Sequence, residues 1–278
     1  MKPYVFVRTS LGFCTVLLFT GCIAGTAQTV DVSNLTGDKP MIVATPFVRQ
    51  QLRFDRVREA REASETVVEK MFRERNISYP AAEMYVRVFK SERVLELWVR
   101  PDNSTRFELL RTYPICALAG LLGPKKVQGD RQVPEGFYSI DLFNPESSYH
   151  LSLRINYPNQ RDRAATTAKH RLGGDIFIHG GCKSDGCLAI TDEAIQELYW
   201  VAVMARGLGQ RNIPVHIFPA RLDGGVEKLK RTYHDGTSLV EFWETLKPGY
   251  DYFQKQRRLP EVGVDARGQY RIARASDQ

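Results

Sequence analysis

Apolar residues recur at helical spacing between Arg49 and about Glu74. Leu52, Val57, Ala60, Val67, Val68, Met71 and Phe72 mark one side of a stretch otherwise rich in charge. The pattern predicts an amphipathic helix over 49–78 whose charges form a solvated face. From Met84 the period shortens towards two. "MYVRVFK", "VLELWVR", "RFELLRTYPI", "GFYSIDLF", "YHLSLRINY", "DIFIHG" and "IPVHIFPA" are short, β-branched or aromatic, and separated by turn residues. They predict a run of strands and hairpins, and the missing βαβ rhythm argues against a parallel Rossmann-like sheet. Thr191 is a natural N-cap, followed by Asp192 and Glu193. Ile195, Leu198, Tyr199 and Ala202 then form a stripe that Gly207 ends. "SLVEFWETL" reads as a helix stopped by Pro248 and Gly249, "YDYFQKQ" as a short second one, and "QYRIA" as one more strand. No internal repeat is visible.

The N-terminus changes the picture from a bare domain to an exported one. Lys2 and Arg8 precede an apolar run from Leu11 to Phe19, then small residues. That run is short against the roughly 20 residues of a membrane span, and it reads as an export signal over 1–22. "FTGC" is similar to a lipoprotein signal, with Cys22 as the lipidated residue; Phe19 stands where such signals usually carry Leu. Ordinary cleavage after Ala27 is the alternative. Residues 23–48, with Gly37, Pro40 and Pro46, read as a tether. The chain has 278 residues and a formal net charge of +7, enough length for a large core and a basic balance that suits an anionic surface. No nucleic-acid-binding motif accompanies that charge, so a diffuse positive surface is the simpler reading.

Five cysteines become three in an exported domain: Cys116, Cys182 and Cys187. An odd number in an oxidising compartment leaves a thiol without an internal partner. Two of the three lie in "IFIHGGCKSDGCLAI", residues 176–190. One reading of this stretch is a metal site of His179, Cys182 and Cys187, although no C-x-x-C pair or second His supports it. Another is a Cys182–Cys187 disulfide around "KSDG". The third is a cysteine nucleophile with its base. Gly186 lets the chain turn sharply before Cys187, main-chain N–H groups near Gly186 and Cys187 can face an oxyanion, and His179 ends a strand that can aim it.

At these residues the chain resembles the L,D-transpeptidase catalytic domain (YkuD-type). The family's His-Gly and S/T-x-G-C-aliphatic pattern falls on His179, Gly180, Ser184, Gly186, Cys187 and Leu188. "FKSERVLELWV" is similar to its opening hairpin and "QVPEGFYSI" to a further segment, so the likeness runs from about Ala82 to Ala220. Three features depart from many members. His179 is only eight positions before Cys187, Asp185 replaces a His, and Ala189 replaces an Arg. The compact form, with "LGPK", "GDRQVPEGFY" and "SYHLSLRINYPN", resembles the YafK-like branch, one member of which is known as an amidase that detaches a lipoprotein from peptidoglycan.

The resemblance implies a mainly β (α+β) fold: a mixed β-sandwich with a helix after the catalytic Cys and helices at both ends. It implies a catalytic domain over 79–221 and a helical extension over 222–278. It implies catalytic roles for Cys187, His179, Gly186 and Ser184, and substrate contacts at Gly180, Asp185, His150, Asn156 and Tyr157, with no cofactor and no metal. His150 and His216 are, by their strand positions alone, hydrogen-bonded core or wall histidines; His170 and His234 lie in polar loops. The implied chemistry is acyl transfer or amide hydrolysis on peptidoglycan stem peptides at an L-centre, diaminopimelate, through a thioester. The partners are peptidoglycan, a peptidoglycan-linked lipoprotein, and the membrane through an N-terminal lipid anchor, in the periplasm. The contrasting reading is a non-catalytic envelope lipoprotein that holds peptidoglycan. Beside a histidine the thiol is expected to titrate below its ordinary value. If Cys187 stays free, Cys116 and Cys182 are the pair left to bond, with two buried reduced cysteines as the alternative.

Overall fold

A computed structural model describes residues 45–166, 171–232 and 236–273. The expected export signal with Cys22 and Ala27, most of the tether, His170 and His234 lie outside the described residues. The expected N-terminal helix forms in two pieces, α1 (Pro46–Gln51) and α2 (Asp55–Glu74). Helix thus begins inside the segment read as tether. The Thr45 side chain accepts the Val48 N–H, and Pro46 sits in the first turn, where its missing N–H is not needed. The chain is extended at Phe54 between the two pieces. That break lets Phe47, Leu52 and Phe54 join Val48, Val57 and Ala60 at one core, while Val67 faces solvent.

Nine strands form one mixed sheet: β1 (Glu83–Phe89), β2 (Val94–Arg100), β3 (Glu108–Pro114), β4 (Ala117–Leu118), β5 (Gly136–Asn144), β6 (Ser152–Ile155), β7 (Phe177–His179), β8 (Leu188–Ala189) and β9 (Ile213–Phe218). Their order is β3-β2-β1-β9-β5-β6-β7-β8-β4. The β1–β9 and β7–β8 pairs are parallel and the others antiparallel. The class is α+β with a mixed sheet, as the family resemblance implies, and the strand runs fall where the residue pattern predicts them. The two-residue strands β4 and β8 are too short to leave a period in the sequence.

One face of the sheet carries Val86, Val88, Ile140, Leu153, Ile155, Ile178, Leu188 and Val215 into the main core. Against it lies α4 (Asp192–Gly207), capped by Thr191, whose side chain accepts the Ala194 N–H. The sequence reads as a one-sided stripe here, but α4 is buried on nearly every side from Ala194 to Ala205, because α1 and α2 cover its back.

The opposite face is covered over β1, β9 and β5 by α6 (Gly236–Gln256). The expected stop at Pro248 and Gly249 does not occur: α6 runs through both. An interior proline costs a helix about 3 kcal/mol. Phe242, Trp243, Leu246, Tyr250 and Phe253 are all buried along one side, at roughly 1.5–3 kcal/mol for a large apolar side chain, which outweighs it. Gly249 lets α6 approach the sheet, since a Cβ there would lie 2.7 Å from the Phe137 ring. Short helices α3 (Gln160–Ala164) and α5 (Glu227–Thr232) complete the helical set described, and a hairpin of β10 (Glu261–Val264) and β11 (Tyr270–Ala273) follows α6. The C-terminal extension is therefore helix plus hairpin, where the sequence suggests helices and a lone strand. Beyond β5, towards β6, β7 and β8, this same face carries the candidate site.

Candidate active site

The parallel pairing of β7 and β8 sets Ile178 beside Leu188 and His179 beside Ala189. Side chains alternate along a strand, so Cys187 points to the same face as Ala189, and therefore as His179. Ile178 and Leu188 take the core face instead. Cys187 lies one residue before β8 and reaches back to the start of β7. Its Sγ accepts the Phe177 N–H at 3.4 Å and donates towards the Asp175 carbonyl at 3.7 Å.

Local chemistry makes the turn that delivers this thiol. The Ser184 hydroxyl donates to the Cys187 carbonyl at 2.7 Å and accepts the Gly186 N–H at 3.2 Å. Gly186 has φ +124°, a value that glycine adopts without strain. Its Cα faces Arg131 and Gln132, with 3.5 Å of room for a Cβ. Ser184 is thus a clamp on the turn. The Gly186 N–H is engaged by that clamp, which corrects the expectation that it faces an oxyanion.

His179 is buried, and its Nδ1 lies 2.6 Å from the Gly180 carbonyl. A carbonyl only accepts, so Nδ1 carries the proton and Nε2 is the basic nitrogen. The ring stacks on Tyr149, with centroids 4.7 Å apart and planes 28° apart. Tyr149 sits in a turn held by Arg56 of α2, whose guanidinium donates to the Ser147 and His150 carbonyls. Gly180 donates to the Tyr149 carbonyl, and Asp192 accepts the Gly181 N–H at 2.8 Å, so α4 anchors the chain just after the histidine. Tyr149, Arg56 and Asp192 carry no local sequence signal for this role; each acts across long separations.

Electrostatics overturn the expected low-pKa thiol. Burial pushes the Cys187 thiol up, and the carboxylates of Asp175 and Asp185 add to this, against opposing effects from the Phe177 N–H and Lys125. Burial also holds the His179 ring below its usual range, against the Gly180 hydrogen bond. Both effects favour the neutral thiol and the neutral imidazole over the charged pair.

The remaining sequence candidates divide. Asp185 is exposed beside Arg131, 3.7 Å away. The His150 ring accepts from Gln196 at 2.9 Å and so is engaged by α4. Tyr157 does not face solvent as a substrate contact should. Its phenol is buried, with its hydroxyl shared between the Lys125 and Leu172 carbonyls at 3.4 and 3.3 Å, and it braces those loops. Asn156 accepts the Ser139 N–H and lines a cavity beside the site. Cys116 and Cys182 form a disulfide with Cα atoms 5.3 Å apart, leaving Cys187 as the free thiol among the described residues. Cys182 is therefore not available as a metal ligand or as a partner for Cys187.

A wall of the site is the loop after β4. Lys90 and Glu135 pair at 2.9 Å with no exposure, and Lys90 also donates to the Gly123 and Val133 carbonyls. Glu135 accepts from the Gly123 N–H and from Trp243 Nε1. The pair fixes both ends of a loop whose Arg131 and Gln132 meet the Gly186 turn.

Residues 83–217 match the L,D-transpeptidase catalytic domain (YkuD). The chain is also 38% identical over 215 residues to the protein of Escherichia coli strain K12 named "Putative L,D-transpeptidase YafK", covering 76% of this chain and 81% of that one. The chain belongs to the L,D-transpeptidase family. YafK of Escherichia coli O157:H7 gives the same identity and coverage. Among solved structures, the helical cell shape determining protein Pgp2 of Campylobacter jejuni is similar at 19% identity and TM-score 0.40, covering 66% of this chain and 73% of that one. Bd1075 of Bdellovibrio bacteriovorus is similar at 22% identity and TM-score 0.36, covering 63% of each. L,D-transpeptidase-family proteins are enzymes that act on peptidoglycan, and in this member His179 and Cys187 lie towards one sheet face, with Ser184 and Gly186 in the turn between them. Among the described residues no helix is long and apolar enough to cross a membrane.

Proposed function

We propose that this L,D-transpeptidase-family enzyme acts through Cys187 as nucleophile and His179 as base. The observation that carries this is the shared sheet face of the two side chains, with His179 Nδ1 fixed by the Gly180 carbonyl and Nε2 left basic. The pair starts neutral, so the thiol loses its proton to Nε2 as sulfur attacks the stem-peptide carbonyl at diaminopimelate. The carbon–nitrogen bond breaks, and the imidazolium returns the proton to the departing amine. A thioester on Cys187 is left. Water resolves it by hydrolysis, or a second amine by cross-linking.

The hydrolytic outcome, release of a peptidoglycan-linked lipoprotein, is favoured by Ala189. It leaves a small apolar residue beside His179, where many family members carry an Arg. The protein works outside the cytoplasm, held at a membrane by lipid on Cys22, with a catalytic domain over 79–221. The disulfide between Cys116 and Cys182 suits that oxidising compartment.

The test is mass spectrometry of muropeptides, and of lipoprotein-linked muropeptides, after incubation with wild type and with Cys187→Ala. Freed lipoprotein or trimmed stem peptides with wild type alone support hydrolysis. New cross-links with wild type alone support transfer. Identical products from both proteins overturn the nucleophile, and binding of peptidoglycan without any product supports an envelope-binding protein instead.

A further inference from the structure

On the face that bears Cys187, the sheet continues into a cavity of about 450 Å³, the size range of small-ligand sites. Pairing of Arg154 with Phe177, and of β5 with β6 and β9, puts Phe177, Arg154, Asn156, Ser139 and Pro214 on this face. In strand order from β8 through β7, Asn156 just after β6 and then Ser139 of β5 are the cavity residues reached first. Cys187 adjoins β7, so β6 is two strand spacings away, about 10 Å. An extended peptide covers that distance in about three residues.

The cavity lining has an unusual chemistry for a chain of net charge +7: none of its residues is Asp, Glu, Lys or Arg. Phe137 and Tyr270, both largely buried and packed edge to face, contribute aromatic edges, and Asn156, Gln160 and Asn212 supply carboxamides. His216 forms part of the floor, nearly buried, with Nδ1 2.9 Å from the Tyr85 hydroxyl. Burial holds its ring neutral, so it adds a polar group without a charge. The roof comes from the β10–β11 hairpin, through Val262 and Tyr270. A ligand bearing a carboxylate or ammonium group would leave that charge desolvated and unpaired here. A neutral ligand rich in hydroxyl and amide groups would find matched donors and acceptors, with C–H surface for the aromatic rings.

We propose that this cavity is a subsite for an N-acetylated sugar of the glycan strand, an assignment that rests on the peptidoglycan reading of the active site. Stem peptides carry charged groups, whereas the acetamido sugars from which they hang are neutral. A stem peptide lying across β7 and β6, with its scissile carbonyl at Cys187, brings the sugar end to Asn156 and Ser139. The C-terminal hairpin then has a purpose, closing a sugar site beside a peptide-cleaving one.

The experiment has two readouts. The first needs no turnover: an N-acetylglucosamine disaccharide is titrated into the full chain bearing Cys187→Ala, and amide NMR shifts are followed. Saturable shifts clustered on Ser139, Asn156, Asn212 and the 262–264 segment are expected, and their loss in a Ser139→Trp background, which fills the cavity. Absence of saturable shifts at millimolar sugar, or shifts that survive Ser139→Trp, overturns the sugar site even if the enzyme cleaves stem peptides. The second compares kcat/KM for a stem peptide with and without its disaccharide. The expected preference for the sugar-bearing substrate is about tenfold in wild type, falling towards one in Ser139→Trp. An equal kcat/KM for both substrates in wild type also overturns the proposal. Sugar binding without cleavage of either substrate counts against the catalytic reading and leaves the subsite standing. Asn212→Ala, a smaller change, serves as the second variant if Ser139→Trp does not fold; it should weaken the sugar shifts and lower the preference.

Discussion

His179 gives its Nδ1 proton to the main-chain carbonyl of Gly180, 2.6 Å away. A neutral acceptor orients the ring without the charge a carboxylate would bring, so burial dominates and the imidazole titrates below its ordinary value of 6.5. A base must be unprotonated to work. The acid limb of kcat/KM is therefore expected below pH 6.5, with full activity at neutral pH. A pH–rate profile checks this, and an acid limb above that value contradicts the assignment. His179→Ala should remove the limb along with nearly all turnover.

The Cys187 thiol carries the opposite sign. Its pKa is raised, chiefly by burial, so the thiolate fraction at neutral pH is smaller than for a free cysteine. Alkylation by iodoacetamide should be slow at pH 7 and keep rising through the alkaline range. A plateau at or below neutral pH, the mark of a thiolate–imidazolium pair, would show that the pair is not neutral at rest.

Ser184→Ala tests the clamp. The hydroxyl bridges the Gly186 N–H and the Cys187 carbonyl, and its loss removes both bonds. Stability should fall by about 1 kcal/mol per hydrogen bond at most. Turnover should fall further than stability implies, because the loosened turn carries Cys187, the proposed nucleophile. Denaturant melts and kcat separate the two; Ser184→Thr should restore much of the rate.

The Cys116–Cys182 bond closes a long loop, with a sequence separation of 66. Chain entropy assigns such a link about 4 kcal/mol, a figure that native strain can reduce. Non-reducing peptide mapping of exported protein should find this pair linked and Cys187 alkylatable. The Cys116→Ser/Cys182→Ser double variant should melt lower and turn over more slowly. Three alkylatable thiols in active protein would refute the link.

Lys90 and Glu135 form a fully buried pair that fixes the loop facing the nucleophile turn. Removing one partner strands the other's charge, so Glu135→Leu should cost about 3–5 kcal/mol. Replacing both, as Lys90→Met/Glu135→Leu, should cost less than the single change. Chemical denaturation of wild type, Glu135→Leu, Lys90→Met and the double variant measures this, and additive losses would mean the two residues act independently.

The residues of the turn that carries Cys187 and most of the strands were legible in the chain because their causes are local. Ser184 reaches Gly186 and Cys187 within three residues, Gly186 supplies its own backbone freedom, and short β-branched and aromatic runs bounded by turn residues mark β1 and β2. Thr191 caps α4 for the same reason. Other features depend on what distant segments do. β4 exists only through its pairing with β8, and β8 through its pairing with β4 and β7, near the Cys116–Cys182 link. α6 crosses Pro248 because a buried aromatic stripe meets the sheet, a gain invisible to any window of sequence. His179 looked capable of drawing the thiol towards thiolate. The tertiary structure reversed that, because burial penalises charge on both groups and the histidine's partner is a neutral carbonyl. Residue types and short spacings set which groups could react; the dielectric around them, and hence their resting protonation, arises only when the loops and the sheet close over them.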